Sequence, residues 1–387
     1  MKKNKKIVYC IPSLHINGGM ERVVTNKANY FAEVLGHKVY IVMTDGYGKQ
    51  PFFPLSKKIE LIQLNENFEE LWNKPLIKKI YLYLKHLHRY KRKLTNFLFD
   101  IKPDITISTL RREINFICNI NDGSIKIGEI HVNKHEFRNL NQDKGASFVK
   151  KIIQYVWNKQ LINALKKLDQ FVVLTEQDKH QWHELNNVTV INNPLSFYAE
   201  NPADCKSKNI IAIGRFCYQK GFDLLLEAWK LVTIKHPEWK LNIYGDNGVK
   251  INQYVKKCNI TENVVLHPIT HNIQNEIINN SIFVLSSRFE GFGMVICEAM
   301  ACGVPPIAFN CNYGPKEIIK DKEDGILVES GNIEELSKSI IYLIENENIR
   351  CKYGKQAYSN IRRFHIEKIG PLWEELFDSL LVKNSSC

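Results

Sequence analysis

SRFEGFGMVICEAMACGVP, residues 287–305, follows the compact apolar run SIFVLS, residues 281–286, and the fold is read outward from this pair. The run suits a buried parallel strand, and Met294–Ala301, rich in Met, Val, Ile and Ala, suits a packed helix. Strand, glycine loop and helix in that order make a turn that can hold an anion. The glycines let the backbone come close to a ligand, and the free N–H groups and dipole of the first helical turn favour negative charge. Glu290 lies in the loop, and Glu298 follows it into the helix. Carboxylates accept hydrogen bonds from hydroxyls, so the pattern suits a ligand with hydroxyls around a phosphate, as in a nucleotide sugar.

At 387 residues the chain exceeds the size at which single cores stop growing, so two domains are expected. Its 44% hydrophobic and 24% charged residues belong to a folded globular protein and exclude wholesale disorder. The formal net charge of +12 points to anionic partners. No nucleic-acid recognition motif accompanies it, so nucleic acid is not expected. The 10 cysteines are scattered, with no CxxC pair, and read as reduced thiols. Neither a signal peptide nor an apolar run long enough to span a bilayer is seen, which leads to the expectation of a cytoplasmic protein, peripheral on the inner face of the cell membrane.

In chain order, Lys5–Leu14 reads as a first strand, followed by Gly18-Gly19 and a helix from Met20 to Leu35. The two glycines suit either a plain tight turn or a backbone N–H cradle at a helix start; the pattern is not GxGxxG. Strands are expected over Lys38–Thr44, Ile59–Leu64, Asp104–Ser108, Ile125–Ile130, Phe171–Thr175 and Val188–Asn192, with helices over Ile114–Ile120, Phe148–Leu168 and Glu176–Leu185. Pro75–Phe99 is the most basic element: apolar residues from Leu76 onward recur at helical spacing and are expected to pack on the sheet, while Lys78, Lys79, Lys85, Arg89, Lys91, Arg92 and Lys93 line the polar side. Such a surface suits an anionic membrane. His131 ends one strand, where open α/β sheets put ligand contacts, although a lone histidine is often structural. The long polar loop Lys134–Gly145 is expected on the acceptor side.

Residues 194–208, with two prolines and few apolar side chains, read as a linker between a first domain over 1–193 and a second over 209–365, and 366–387 as a closing helix. The second half opens with the strand Asn209–Ile213, then Gly214, Arg215 and Lys220 at a strand–helix junction where two cations can meet a diphosphate.

The spacing of Glu290 and Glu298 is E-x7-E, and EGFGMVICEAMACGVP resembles the corresponding segment of the retaining GT-B glycosyltransferases of group 1, family GT4. GRFCYQKG, residues 214–221, matches that family's GR-x4-KG signature. The resemblance covers essentially the whole chain, closely after Asn209 and loosely before it. It implies two facing Rossmann-like domains of the GT-B type with an interdomain cleft, and a metal-independent enzyme without a cofactor that moves a sugar from a nucleoside diphosphate sugar, UDP-linked by preference, to a glycan or lipid-linked acceptor. In that reading Arg215 and Lys220 hold the diphosphate. The segment Gly291, Phe292, Gly293, Met294 and Val295 contacts phosphate and sugar through main-chain N–H groups. Glu290 meets the donor sugar and Glu298 the ribose. Gly214, Gly245, Pro268 and Ile269 line the nucleotide, and His131, Gly18 and Gly19 complete the site from the first domain. The closing helix is expected to return to that domain. Two other outcomes stay open at this level, a catalytically silent scaffold of the same fold and a nucleotide-sugar 2-epimerase.

Overall fold

The computed structural model describes residues 4–134, 137, 148–245, 249–258 and 260–385. Asp246 and nearly all of the loop expected over Lys134–Gly145 lie outside them. The first half contains β1 (Lys6–Ile11), α1 (Gly19–Glu33), β2 (Lys38–Met43), β3 (Glu60–Gln63), α2 (Leu76–Ile101), β4 (Ile105–Ser108), β5 (Ile125–Glu129), α3 (Phe148–Leu165), β6 (Gln170–Val173), α4 (Glu176–Lys179) and β7 (Val188–Val190). The second contains β8 (Asn209–Ile213), α5 (Phe222–Lys235), β9 (Lys240–Tyr244), α6 (Val249–Lys257), β10 (Val264–His267), α7 (Ile273–Ile278), β11 (Ile282–Leu285), α8 (Met294–Ala301), β12 (Pro306–Phe309), α9 (Pro315–Ile318) and β13 (Ile326–Val328). Three helices close the chain: α10 (Ile333–Glu345), α11 (Glu347–Asn360) and α12 (Ile366–Ser385). Two compact units result, one of residues 1–194 with 366–387 and one of residues 195–365.

Each unit is a parallel α/β layer structure. The first sheet runs β3-β2-β1-β4-β5-β6-β7, the second β10-β9-β8-β11-β12-β13, and every pairing is parallel. Central strands of such sheets are covered on both faces and need unbroken apolar runs. Ile7–Ile11 and Ile282–Leu285 meet that need, and every residue in both runs is buried. Strand order reverses beside β1 in the first unit and beside β8 in the second, between β8 and β11, which is where open α/β sheets leave a crevice at the carboxyl ends of their strands.

α12 belongs to the first unit and packs on α1. Trp373 and Phe377 are buried, and the Phe377 ring meets Phe31 edge-on at 5.5 Å. Burying an aromatic side chain of this kind contributes roughly 1.5–3 kcal/mol. The buried carboxylate of Glu374 accepts from Lys5 Nζ at 2.6 Å and from His37 Nε2 at 2.8 Å, which fixes the register of α12 against β1 and β2.

Four expectations change. The helix expected over Glu176–Leu185 stops at Lys179. Residues 114–120 do not form a helix but two 3-10 turns, Glu113–Asn115 and Ile117–Asn119. The Glu113 carboxylate accepts from Ser108 Oγ at 2.7 Å and from the Arg111 N–H at 3.2 Å, and this tight local closure pins the chain before a regular helix can start. The stretch 195–208 is not free linker, since Leu195, Ala199 and Cys205 are buried in the second unit and the N–H groups of Ala199 and Ala203 donate to Ala301 and Cys302 carbonyls. The apolar row of α2 is only partly packed. Tyr90, Leu94 and Leu98 are buried in the core of the first unit, whereas Leu76, Ile77, Ile80, Tyr81 and Leu84 are exposed.

Candidate functional site

The loops after β8 and β11 flank the reversal point of the second sheet and are laced to each other. Ser286 Oγ donates to the Lys220 carbonyl at 2.9 Å, the Arg288 N–H to the Gln219 carbonyl at 2.8 Å, and Gln219 Nε2 to the Phe289 carbonyl at 3.2 Å. The Arg288 guanidinium forks onto Asp223, with contacts of 2.9 and 2.5 Å, and lies 4.2 Å from the Tyr218 ring centroid. Burial alone would lift the Asp223 carboxyl, but the Arg288 fork outweighs it and the group sits below its ordinary value. Gly221, with φ +60°, starts α5 in a left-handed conformation, and a Cβ there would come within 2.1 Å of the Ser286 carbonyl oxygen.

This lacing sets Lys220 Nζ 2.6 Å from Glu290 Oε1, and Ser287 Oγ donates to the same oxygen at 2.6 Å. Both side chains of the pair are mostly withdrawn from water, 14% and 8% exposed. Arg215, just after Gly214, is exposed and has no ion-pair partner among the described residues. Gly214 and Gly245 close the ends of β8 and β9, their N–H groups donating to the Tyr244 and His267 carbonyls at 3.0 and 3.1 Å. Pro268 and Ile269 follow β10 and are exposed.

α8 starts at the far side of the same loop. Gly293, at φ +101°, precedes it, and the Met294 and Val295 N–H groups have no acceptor among the described residues, as expected of a first turn. Gly291 is half-buried and Phe292 buried, its ring edge-on to Phe364 at 5.3 Å. Behind them Gly314, φ +114°, admits the Phe292 backbone so closely that a Cβ would lie 2.0 Å from its carbonyl oxygen. One face of α8 then carries Glu298, which is buried and accepts from Ser196 Oγ at 2.9 Å.

The arrangement can therefore hold an anion on cations and free N–H groups, with two carboxylates beside them to receive hydroxyls. Seven expected residues, Gly214, Arg215, Lys220, Glu290, Gly293, Met294 and Val295, stand on the loops and helix start around one reversal point. Sequence reasoning missed Ser287, Arg288, Asp223, Gln219 and Ser196. Ser287 and Arg288 stand inside the opening motif, but the Arg288–Asp223 fork joins residues far apart in the chain and leaves no local signal. Also missed was the neighbouring cluster in which Tyr244 stacks on His267 at 4.3 Å, Tyr244 O–H donates to Glu276 at 2.5 Å and His267 Nε2 meets Asn242 Oδ1 at 3.0 Å.

In the first unit, Gly18 is the N-cap of α1 and Gly19 its first residue, and the Gly18 N–H donates to the Ile16 carbonyl at 2.9 Å. His131 lies just past β5. Both of its ring nitrogens are buried without a hydrogen-bond partner, and burial, opposed by Glu129 but reinforced by Lys27 and Arg111, pulls its pKa down to about 4. Beneath it Lys27 and Glu129 form a fully buried ion pair, with the Lys27 ammonium 4.1 Å from the Trp373 ring centroid. This pair had no sequence signal beyond a lysine on the apolar side of α1. Burial lowers the Lys27 pKa, and Glu129 offsets part of that.

The family model described as glycosyl transferases group 1 matches residues 197–360. An uncharacterized glycosyltransferase of Haemophilus influenzae is 30% identical over 376 residues, which cover 96% of this chain and 99% of that protein. A poly(ribitol-phosphate) alpha-N-acetylglucosaminyltransferase of Staphylococcus aureus is 31% identical over 261 residues, 66% of this chain and 51% of that protein. The crystal structure of a mutant of S. aureus TarM in complex with UDP, alpha-GlcNAc-glycerol and fondaparinux superposes with a TM-score of 0.78 at 20% identity, covering 96% of this chain and 99% of that one. At that identity the likeness speaks to the fold, two Rossmann-like domains of the GT-B type.

Proposed function

Because the chain belongs to the group 1 glycosyltransferases, we propose that it transfers a sugar, with retention of anomeric configuration and without a metal ion, from a nucleoside diphosphate sugar to a glycan or lipid-linked hydroxyl. UDP is the preferred nucleotide in this reading, and cell-surface polysaccharide assembly at the inner face of a membrane is the setting. The named activity of the S. aureus relative and the UDP held by TarM support the donor class, and the net charge of +12 supports an anionic surface.

One observation carries the reading: Lys220 and Glu290 stand 2.6 Å apart at the sheet reversal, beside the exposed Arg215 and the free first turn of α8. The Lys220 ammonium has three N–H donors, so it can keep Glu290 and still donate to a phosphate oxygen. With Arg215 it would neutralise the leaving diphosphate, whose negative charge grows as the bond from the anomeric carbon breaks. As that bond breaks, the acceptor oxygen bonds to the same face of the anomeric carbon. The acceptor's proton passes to the departing diphosphate oxygen, and no protein base is required. The Met294 and Val295 N–H groups take a phosphate, Glu290 the donor sugar's hydroxyls and Glu298 the ribose. His131 serves as a neutral imidazole contacting the sugar. Gly18, Gly19, Gly245, Pro268 and Ile269 keep the roles expected for them.

A panel of nucleotide sugars tested for thermal stabilisation and then for release of free nucleotide tests the assignment. The reading expects one class of diphosphate sugar to raise the melting temperature and to be turned over when acceptor is present. Absence of stabilisation by every member would refute it.

A further inference from the structure

The apolar side of α2 extends beyond the core of the first unit, which covers only its later turns. Tyr90, Leu94 and Leu98 are buried. Ile77, Ile80, Tyr81 and Leu84 recur at i, i+3, i+4 and i+7 and therefore share one side of the first turns, and they are 85%, 52%, 65% and 58% exposed. Leu76, 72% exposed, begins the helix, and Trp72, also 72% exposed, precedes it in the chain. Soluble chains rarely leave such a contiguous apolar row in water without a use for it.

Charge selects the occupant. Between Glu70 and Asp100 the sequence holds no acidic residue. Arg89 and Lys93 are already committed to the buried Glu66, at 3.0 and 2.7 Å, and are discounted. Lys78, Lys85 and Arg92, spaced by sevens, run beside the apolar row, and Lys74, Lys79 and Lys91 add to them. None of these six has an ion-pair partner among the described residues, and Lys79 Nζ lies 5.5 Å from the Trp72 ring centroid. Exposed apolar residues with an indole and a phenol among them and unpaired cations alongside are the make-up of a helix lying in a lipid interface. A second copy on the same face would bring its own six cations against these six.

We propose that Trp72 and the Leu76–Leu84 turns of α2 insert into the headgroup and acyl boundary of an anionic bilayer, with Lys78, Lys85 and Arg92 on the lipid phosphates. This rests on the reading of an enzyme working at an anionic membrane and adds to it the apolar insertion, which charge alone does not require.

The two claims separate in a co-sedimentation experiment with phosphatidylcholine vesicles carrying roughly one-third phosphatidylglycerol, at low salt and at about 0.5 M salt, where surface Coulomb attraction is screened. The wild type is expected to bind at low salt and to keep a residual fraction at high salt. The variant Ile77→Ser, Ile80→Ser, Leu84→Ser should bind about tenfold more weakly at low salt and lose the residual fraction, since burial of apolar surface drives interfacial binding. Lys78→Gln, Lys85→Gln, Arg92→Gln should lose mainly the low-salt binding. Trp72 emission in the bound wild type should be quenched by brominated lipid, and Trp72→Phe should remove that quenching, a readout independent of how the serine variant folds. Wild-type binding that the serine variant reproduces at both salts, or bound protein with an unquenched Trp72, overturns the insertion and leaves the electrostatic reading standing. No vesicle binding by the wild type sinks both. A dimer in light scattering that the serine variant dissolves assigns the face to a second copy and overturns the proposal.

Discussion

Lys220 Nζ lies 2.6 Å from Glu290 Oε1 although 70 residues separate the two in sequence. Ser287 Oγ donates to the same carboxylate oxygen, and the loops that carry the pair are held by the Arg288–Asp223 fork. The pair joins the family's two sequence signatures in a single contact. It predicts that the residues act as a unit. Lys220→Met should lower kcat/KM by about a hundredfold or more, as loss of a preorganised charge does. It should also destabilise the second unit by roughly 2 kcal/mol more than the double variant Lys220→Met, Glu290→Gln, which leaves no uncompensated charge. Urea melts of both variants check this, and equal stabilities would show that the pair is not coupled.

Glu298 is buried on α8 with Ser196 Oγ 2.9 Å from Oε1. If it receives the ribose hydroxyls, Glu298→Gln should weaken binding of the free nucleotide by about tenfold, because a charged acceptor becomes a neutral one. Ser196→Ala, which only releases the carboxylate's orientation, should weaken it less. Calorimetry with UDP measures both, and unchanged affinity in Glu298→Gln removes the ribose assignment.

Gly314 tests the loop through its backbone. Its φ of +114° and the 2.0 Å approach of the Phe292 carbonyl oxygen to a hypothetical Cβ leave no room for alanine. Gly314→Ala should cost about 1–3 kcal/mol in the second unit and displace the Glu290–Val295 loop, so that nucleotide affinity falls with stability. A variant with both unchanged would mean that the loop tolerates the shift.

His131 supplies a pH prediction. Its folded pKa is about 4, below the ordinary 6.5, because burial disfavours the charged ring. As pH falls through 6.5 the unfolded chain takes up the proton first. The stability held at neutral pH is therefore lost between about 6.5 and 4, and the loss amounts to about 3 kcal/mol at most. Comparing urea melts of wild type and His131→Asn at pH 7 and 5 isolates this part. The gap between the two proteins should change in favour of the variant at the lower pH, and a pH-independent gap would contradict a neutral buried imidazole.

Much of this is legible in the sequence. The buried runs at β1 and β11 and the glycine loops after them follow from local chemistry, as do Glu290 and Glu298 on one strand–loop–helix turn. What stayed hidden depends on contacts across the chain. The Lys27–Glu129 pair, the Arg288–Asp223 fork and the Tyr244–His267 stack join residues whose proximity is set by the sheets, and no spacing announces it. α2 shows a different limit. Helical periodicity marked Leu76 to Leu84 as apolar but did not say that the core ends before reaching them.

The central claim is that the second unit grips a nucleoside diphosphate with Arg215, Lys220 and the start of α8, and needs no divalent ion. Calorimetric titration of UDP into the full chain in excess EDTA tests it most directly. The account predicts saturable binding that Arg215→Ala and Lys220→Ala each weaken by at least about tenfold, as expected for loss of a charge-assisted phosphate contact. Binding that appears only when magnesium or manganese is restored, or that both variants keep at full strength, would contradict it.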